Sequence, residues 1–173
     1  VVNAAMAYFG YIAKIIWPYP LAVFYPYPLF IPWWKTIASL SAISMMTVWV
    51  LRNIRNRPYL SVGWFWYMGT LVPVSGLVQV GSQAMADRYT YIPAIGIFMM
   101  IVWGAGDIIR RWHIRKEVVI AASLAVFSGL CLTSRIQISV WKDSETLYRH
   151  AIGVTRDNYL AHHNLGIVLA QKG

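Results

Sequence analysis

Long apolar runs alternate with short polar interruptions as far as Val140, and there the alternation stops. Each run approaches the ~20 residues that an α-helix needs to cross the hydrocarbon core of a bilayer. The pattern therefore predicts about five spans, over residues 1–16, 33–51, 59–80, 91–109 and 118–138. The first run is short for a span, so its beginning is expected to lie upstream. Pro73 predicts a kink in the third. Residues 17–34 are crowded with Pro, Tyr and Trp. Closely spaced prolines remove helical donors and clash with the preceding turn, which predicts an extended loop whose aromatic rings suit the membrane–water boundary.

From Trp141 onward charges return and the apolar residues take helical spacing. Asp143 is placed to cap one helix through Thr146, Leu147, Tyr148, Ala151 and Ile152, and Asp157 or Asn158 to cap another through Ala161, Leu165 and Val168. Residues 153–156 are read as the turn between them. The predicted fold class is all-α: a polytopic helical membrane domain over residues 1–139, then a repeat-like helical hairpin over residues 140–173. One exposed hairpin cannot bury its apolar face alone, so further helices are expected in a longer protein.

Charge fixes an orientation. Of the fifteen Lys and Arg residues, Arg52, Arg55 and Arg57 fall in one polar turn, and Arg110, Arg111, Arg115 and Lys116 in another. Alternating the loops puts both turns on one side of the membrane, and the positive-inside rule makes that side cytoplasmic. The Pro-rich loop, the Asp87 loop and the C-terminal tail then share the periplasmic or luminal side. The expected home is a bacterial inner membrane, or the endoplasmic reticulum membrane in a eukaryote. Orientation signals and anionic lipid headgroups account for the net charge of +9 without a nucleic-acid partner. The only cysteine, Cys131, lies in an apolar run, which excludes an intrachain disulfide.

Candidate chemistry gathers between the third and fourth spans. If the third helix continues past Gly81, then Gln79, Gln83 and Asp87 form a ridge on one helix face. Amides and a carboxylate at the membrane boundary are expensive facing lipid, so they are expected to face a cavity or another helix. Arg88 can present a two-pronged donor to a carboxylate or a phosphate. Two readings stand: an Asp87–Arg88 cluster that pins the outer loop, or the wall of a site for a polar, phosphate-bearing substrate. The second takes Gln79, Gln83, Asp87, Arg88, Tyr89, Tyr91 and Lys14 as substrate-binding residues. Lys14, near the outer end of the first span, either snorkels or holds a lipid phosphate. Asp107 and Arg111 have helical ion-pair spacing at the inner end of the fourth span. Gly96, Gly104 and Gly106 on that span allow close helix approach. His162-His163 is read as a solvated face, because adjacent residues diverge on a helix and no metal-ligand set accompanies them.

Two resemblances follow from these residues. Leu165-Gly166 with Leu169 at the front of one unit, and Tyr148 and Ala151 in the second helix of the unit before it, resemble the tetratricopeptide repeat (TPR), a unit of roughly 34 residues. His162 departs from it where Trp is common, and Arg156 where Pro is usual. The run Trp64-Phe65-Trp66-Tyr67-Met68-Gly69-Thr70-Leu71-Val72-Pro73-Val74-Ser75-Gly76-Leu77, then Ala86-Asp87-Arg88-Tyr89-Thr90-Tyr91-Ile92-Pro93, and the junction Trp141-Lys142-Asp143-Ser144 resemble the transmembrane-and-tetratricopeptide-repeat (TMTC-like) proteins. These are O-mannosyltransferase-like members of the GT-C class of membrane glycosyltransferases. The resemblance implies transfer of a sugar from a polyprenyl-phosphate donor to a protein acceptor on the outer face, with the repeats docking the acceptor. It places the catalytic carboxylate in an outer loop upstream of this chain, so no catalytic residue is assigned here. No cofactor is assigned either; a divalent metal, where one is used, is expected on upstream residues. The alternative is a non-catalytic membrane scaffold that binds partners through its repeats. A transporter is the weakest reading, because Asp107 is the only acid within a span and no ion relay is visible.

Overall fold

In a computed structural model the described residues are 2–18, 21–26, 32–74 and 86–172. They are mostly helical, with no β-strand among them. The order is α1 (Val2–Ile16), α2 (Trp33–Arg52), α3 (Pro58–Leu71), a 3₁₀ turn (Val72–Val74), a second 3₁₀ turn (Asp87–Thr90), α4 (Tyr91–Arg111), α5 (Lys116–Val140), α6 (Ser144–Val154) and α7 (Tyr159–Ala170). Three stretches are long and apolar enough to cross a membrane: Trp33–Arg52, Asp87–Arg111 and Lys116–Val140. α1 is apolar but shorter. In place of a kink at Pro73, α3 ends at Leu71 and tightens into 3₁₀ geometry, as suits a proline that supplies no N–H. The rest of the predicted third span lies outside the described residues.

α3 and α4 pack most closely, and glycine is the reason. A Cβ added at Gly63 would overlap the Gly96 carbonyl oxygen, and one at Gly96 would overlap that of Gly63. With no hydrophobic drive between helices in lipid, such backbone approach is what holds them. Gly104 and Gly106 serve no such contact; a Cβ there would meet only the ends of Tyr59 and Arg110 at ordinary distances. The core against this pair comprises Ala7, Tyr8 and Tyr11 of α1, Val50 of α2, Leu60, Trp64, Tyr67 and Leu71 of α3, and Ile97 and Met100 of α4.

Its polar tips are satisfied internally, as a lipid environment requires. Tyr8 donates to the Met68 carbonyl at 2.9 Å, Tyr67 donates to the Tyr8 carbonyl, and the Trp64 indole donates to Thr47 Oγ1 at 3.0 Å. No residue of α5 is buried, a state that an apolar helix tolerates in hydrocarbon.

The two basic turns meet at Asp107. Its Oδ2 accepts the Tyr59 hydroxyl at 2.7 Å and lies 3.8 Å from Arg57 Nε; its Oδ1 lies 3.8 Å from Arg110 Nη2. Arg110 and Arg57 therefore replace the expected partner Arg111. At the other end, Asp143 accepts the Thr146 amide at 2.8 Å and Asn158 accepts the Ala161 amide at 3.0 Å, so both caps form. Gly153 is helical, however, and the turn falls later, where Thr155 is extended and Asp157 takes φ 53°. Asp is among the few residues that enter that left-handed region readily.

Candidate functional site

The segment before α4 folds for local reasons. Ala86 is extended (φ −143°, ψ 128°), and its buried amide donates to Tyr11 Oη at 3.1 Å. Asp87–Thr90 then makes a 3₁₀ turn that leads into α4 at Tyr91. Pro93 is tolerated in the first turn of α4 because its missing N–H would have had no intrahelical partner. The extended Ala86 means that Asp87 does not continue a helix through Gln83. Gln79 and Gln83 lie outside the described residues.

Asp87 is fully engaged. Its Oδ1 accepts Lys14 Nζ at 3.1 Å, and its Oδ2 accepts the Tyr25 hydroxyl at 2.8 Å. Lys14 Nζ also stands 3.4 Å from the centre of the Tyr25 ring, a cation–π contact. Tyr25 Oη in turn accepts the Ala22 amide at 2.6 Å. Burial first, and then the Asp87 charge, push the Tyr25 phenol well above its ordinary range. It stays protonated and donates.

Arg88 behaves differently from its neighbour. Among the described residues it has no carboxylate partner; its guanidinium carbon lies 5.2 Å from the centre of the Tyr89 ring. Tyr89 packs against the core, whereas Tyr91 is exposed. Lys14, Asp87, Arg88 and Tyr91 line one cleft of about 410 Å³, together with residues 21–23 of the Pro-rich loop and Gln137 and Trp141 at the end of α5. Five of the seven expected site residues are thus drawn around one hollow, Tyr89 as the backing for Arg88.

Sequence reasoning did not place Tyr11, Tyr25, Gln137 or Trp141 at the site; Trp141 entered only through the junction before the repeats. Tyr25 sits in Tyr-Pro-Tyr-Pro, where interfacial anchoring explained it. Its bond to Asp87 spans 62 residues of chain, and no local spacing announces it. Among the described residues no three His, Cys, Asp or Glu side chains gather to hold a metal ion, and His162 and His163 are both exposed.

The chain is 25% identical over 169 residues to the protein O-mannosyl-transferase TMTC4 of Homo sapiens, which covers 84% of the chain. It is 28% identical over 145 residues to Tmtc1 of Drosophila melanogaster (80% of the chain) and 24% identical over 102 residues to Tmtc2 of the same fly (59% of the chain). Each carries the name protein O-mannosyl-transferase. The chain is a distant relative of the TMTC proteins. It spans 23% of the length of human TMTC4 and 16% of fly Tmtc1. No family model matches this TMTC-like chain, and no solved structure does.

Proposed function

We propose that this TMTC-like chain is the C-terminal membrane portion of a GT-C-like glycosyltransferase. Its cleft would receive the phosphate of a polyprenyl-phosphate-linked sugar on the periplasmic or luminal face, and the sugar would pass to a protein acceptor. The observation that carries the reading is the asymmetry between two neighbours. Both oxygens of Asp87 are occupied, whereas Arg88 faces the cleft without a carboxylate partner among the described residues. A guanidinium so placed is a two-pronged donor for phosphate, and Lys14, its charge offset by Asp87, lines the same wall. Donors aimed at a departing phosphate are the protein's main means of speeding such a transfer.

Two further features support it. A second hollow of about 290 Å³, lined by Phe9, Ile12, Ile16, Ile43, Trp64 and Met100, is almost wholly apolar. Ile12 and Ile16 stand two positions either side of Lys14 and so on the other face of α1; the hollow shares no lining residue with the cleft and is a separate groove suited to an apolar chain. The α6–α7 pair, capped by Asp143 and Asn158, is read as the back half of one repeat and the front half of the next, and it leaves Ile167 and Leu169 partly exposed, as helices awaiting a stacked neighbour would be. Those exposed side chains equally favour the scaffold reading, in which the repeats bind partners and the cleft does no chemistry.

Transfer assays on the full-length protein separate the two. Arg88→Ala, folded and inserted, should lose at least about a hundredfold in sugar transfer, the scale of removing one charge-stabilising donor, with Arg88→Lys intermediate. Unchanged transfer in both variants would remove Arg88 from the site. Absence of transfer by the unmodified protein, with partner binding intact, would favour the scaffold.

A further inference from the structure

The Pro-rich loop touches two places that are far apart in sequence. At one end, the buried Asn158 side chain, only 1% exposed, donates from Nδ2 to the Phe24 carbonyl at 3.1 Å. His150 Nε2 lies 3.1 Å from the Leu21 carbonyl; a carbonyl only accepts, so that nitrogen carries the proton. The Phe24 ring, also buried, meets Tyr159 edge-on with centres 6.0 Å apart. The α6–α7 pair thus grips residues 21–24 by two main-chain carbonyls and one ring. At the other end, Tyr25 lies on Lys14 and donates to Asp87.

We infer that residues 21–25 form a strap through which the α6–α7 pair holds Tyr25 on Asp87, with Asn158 and His150 as positioning residues for the cleft. Asn158 uses every group it has. Its Oδ1 caps α7 by accepting the Ala161 amide, and its Nδ2 donates both to Thr155 Oγ1 at 2.8 Å and to Phe24. Capping alone needs only the oxygen. The buried amide donor aimed at a carbonyl 134 residues away is what the strap requires, since an unmet buried acceptor is costly. The consequence is a mechanical link: whatever displaces the α6–α7 pair shifts the wall of the cleft. The inference concerns the proposed donor cleft but does not need that cleft to bind a sugar phosphate, and its test reads structure rather than transfer.

The test is hydrogen exchange on the full chain in lipid nanodiscs. Asn158→Asp keeps the capping oxygen, removes the donor, and sets a carboxylate against the Phe24 carbonyl. Exchange should quicken about tenfold at residues 21–25 and also at residues 86–90, with α6 and α7 unchanged. Tyr25→Phe, cut at the opposite end, should quicken residues 86–90 and the Ala22 amide and leave α6 and α7 alone. The link is overturned if Asn158→Asp leaves both segments as they were or frees residues 21–25 alone. If that variant loosens α6 and α7 themselves, Tyr25→Phe decides: unchanged exchange at residues 86–90 overturns the link.

Discussion

Lys14 Nζ and Asp87 Oδ1 lie 3.1 Å apart across 73 residues of chain, joining the C-terminal end of α1 to the turn that leads into α4. Their side chains are 20% and 24% exposed, so water screens the pair only in part. Deleting one member leaves the other's charge half-buried and unpaired, which is where the cost arises. Asp87→Asn or Lys14→Met should each destabilise the folded protein by about 1–3 kcal/mol. Thermal unfolding in a single detergent measures it. The double variant should lose less than the sum of the two, as a coupled pair requires; strict additivity would mean that the residues do not interact.

The α3–α4 contact should fail on one added side chain. Gly63→Leu or Gly96→Leu drives a branched chain into the facing carbonyl, and backbone cannot yield as a flexible side chain can. Each variant should lower the unfolding temperature sharply, whereas Gly104→Leu should do far less. Equal effects at the three positions, read by thermal unfolding, would contradict the packing described.

The C-terminal pair should respond to pH in two windows. The Thr146 amide and hydroxyl hold the Asp143 carboxyl below its usual value of 3.8, and Lys172 and Arg149 hold the Glu145 carboxyl below its usual 4.5. A depressed carboxyl stabilises the fold above its ordinary value, and the contribution is lost as pH falls through the folded-state value. Glu145 in turn raises Lys172 above its usual 10.5. That contribution is complete below 10.5 and disappears as pH rises through the raised value. Circular dichroism should show α6 and α7 weakening at both extremes. Asp143→Asn, which still caps, should shrink the acid effect, and an unchanged acid profile would refute the role given to Asp143.

Helices and caps were legible in the sequence because both are local. Asp143 and Asn158 announce themselves by standing just before an apolar helical period, and both caps form. Gly153 misled for an equally local reason: glycine marks turns, yet α6 carries it and breaks only where Thr155 goes extended. The Asp107 partner was half-legible. Arg110 is on the same helix, but Arg57 arrives from the turn before α3 and Tyr59 from its first residues, and nothing in the spacing of α4 reports them. Of the site, Lys14, Asp87, Arg88 and Tyr91 stood out because charge and hydroxyls are conspicuous in an apolar chain. Tyr25 did not, since an aromatic among prolines at a membrane boundary has a cheaper explanation. Gly63 was silent for the same kind of reason: its role is defined by Gly96, on another helix.

The central claim is that Arg88 meets a phosphate in the Asp87 cleft, and ligand binding tests it without needing turnover. The full-length protein in nanodiscs would be titrated with a polyprenyl-phosphate-linked sugar and with the matching polyprenol lacking phosphate. Arg88→Ala should weaken the phosphate-bearing lipid by at least about tenfold, the scale of one charge-assisted hydrogen bond, and leave the polyprenol unchanged. Equal affinity of the native and Arg88→Ala proteins for the phosphate-bearing lipid would contradict the account.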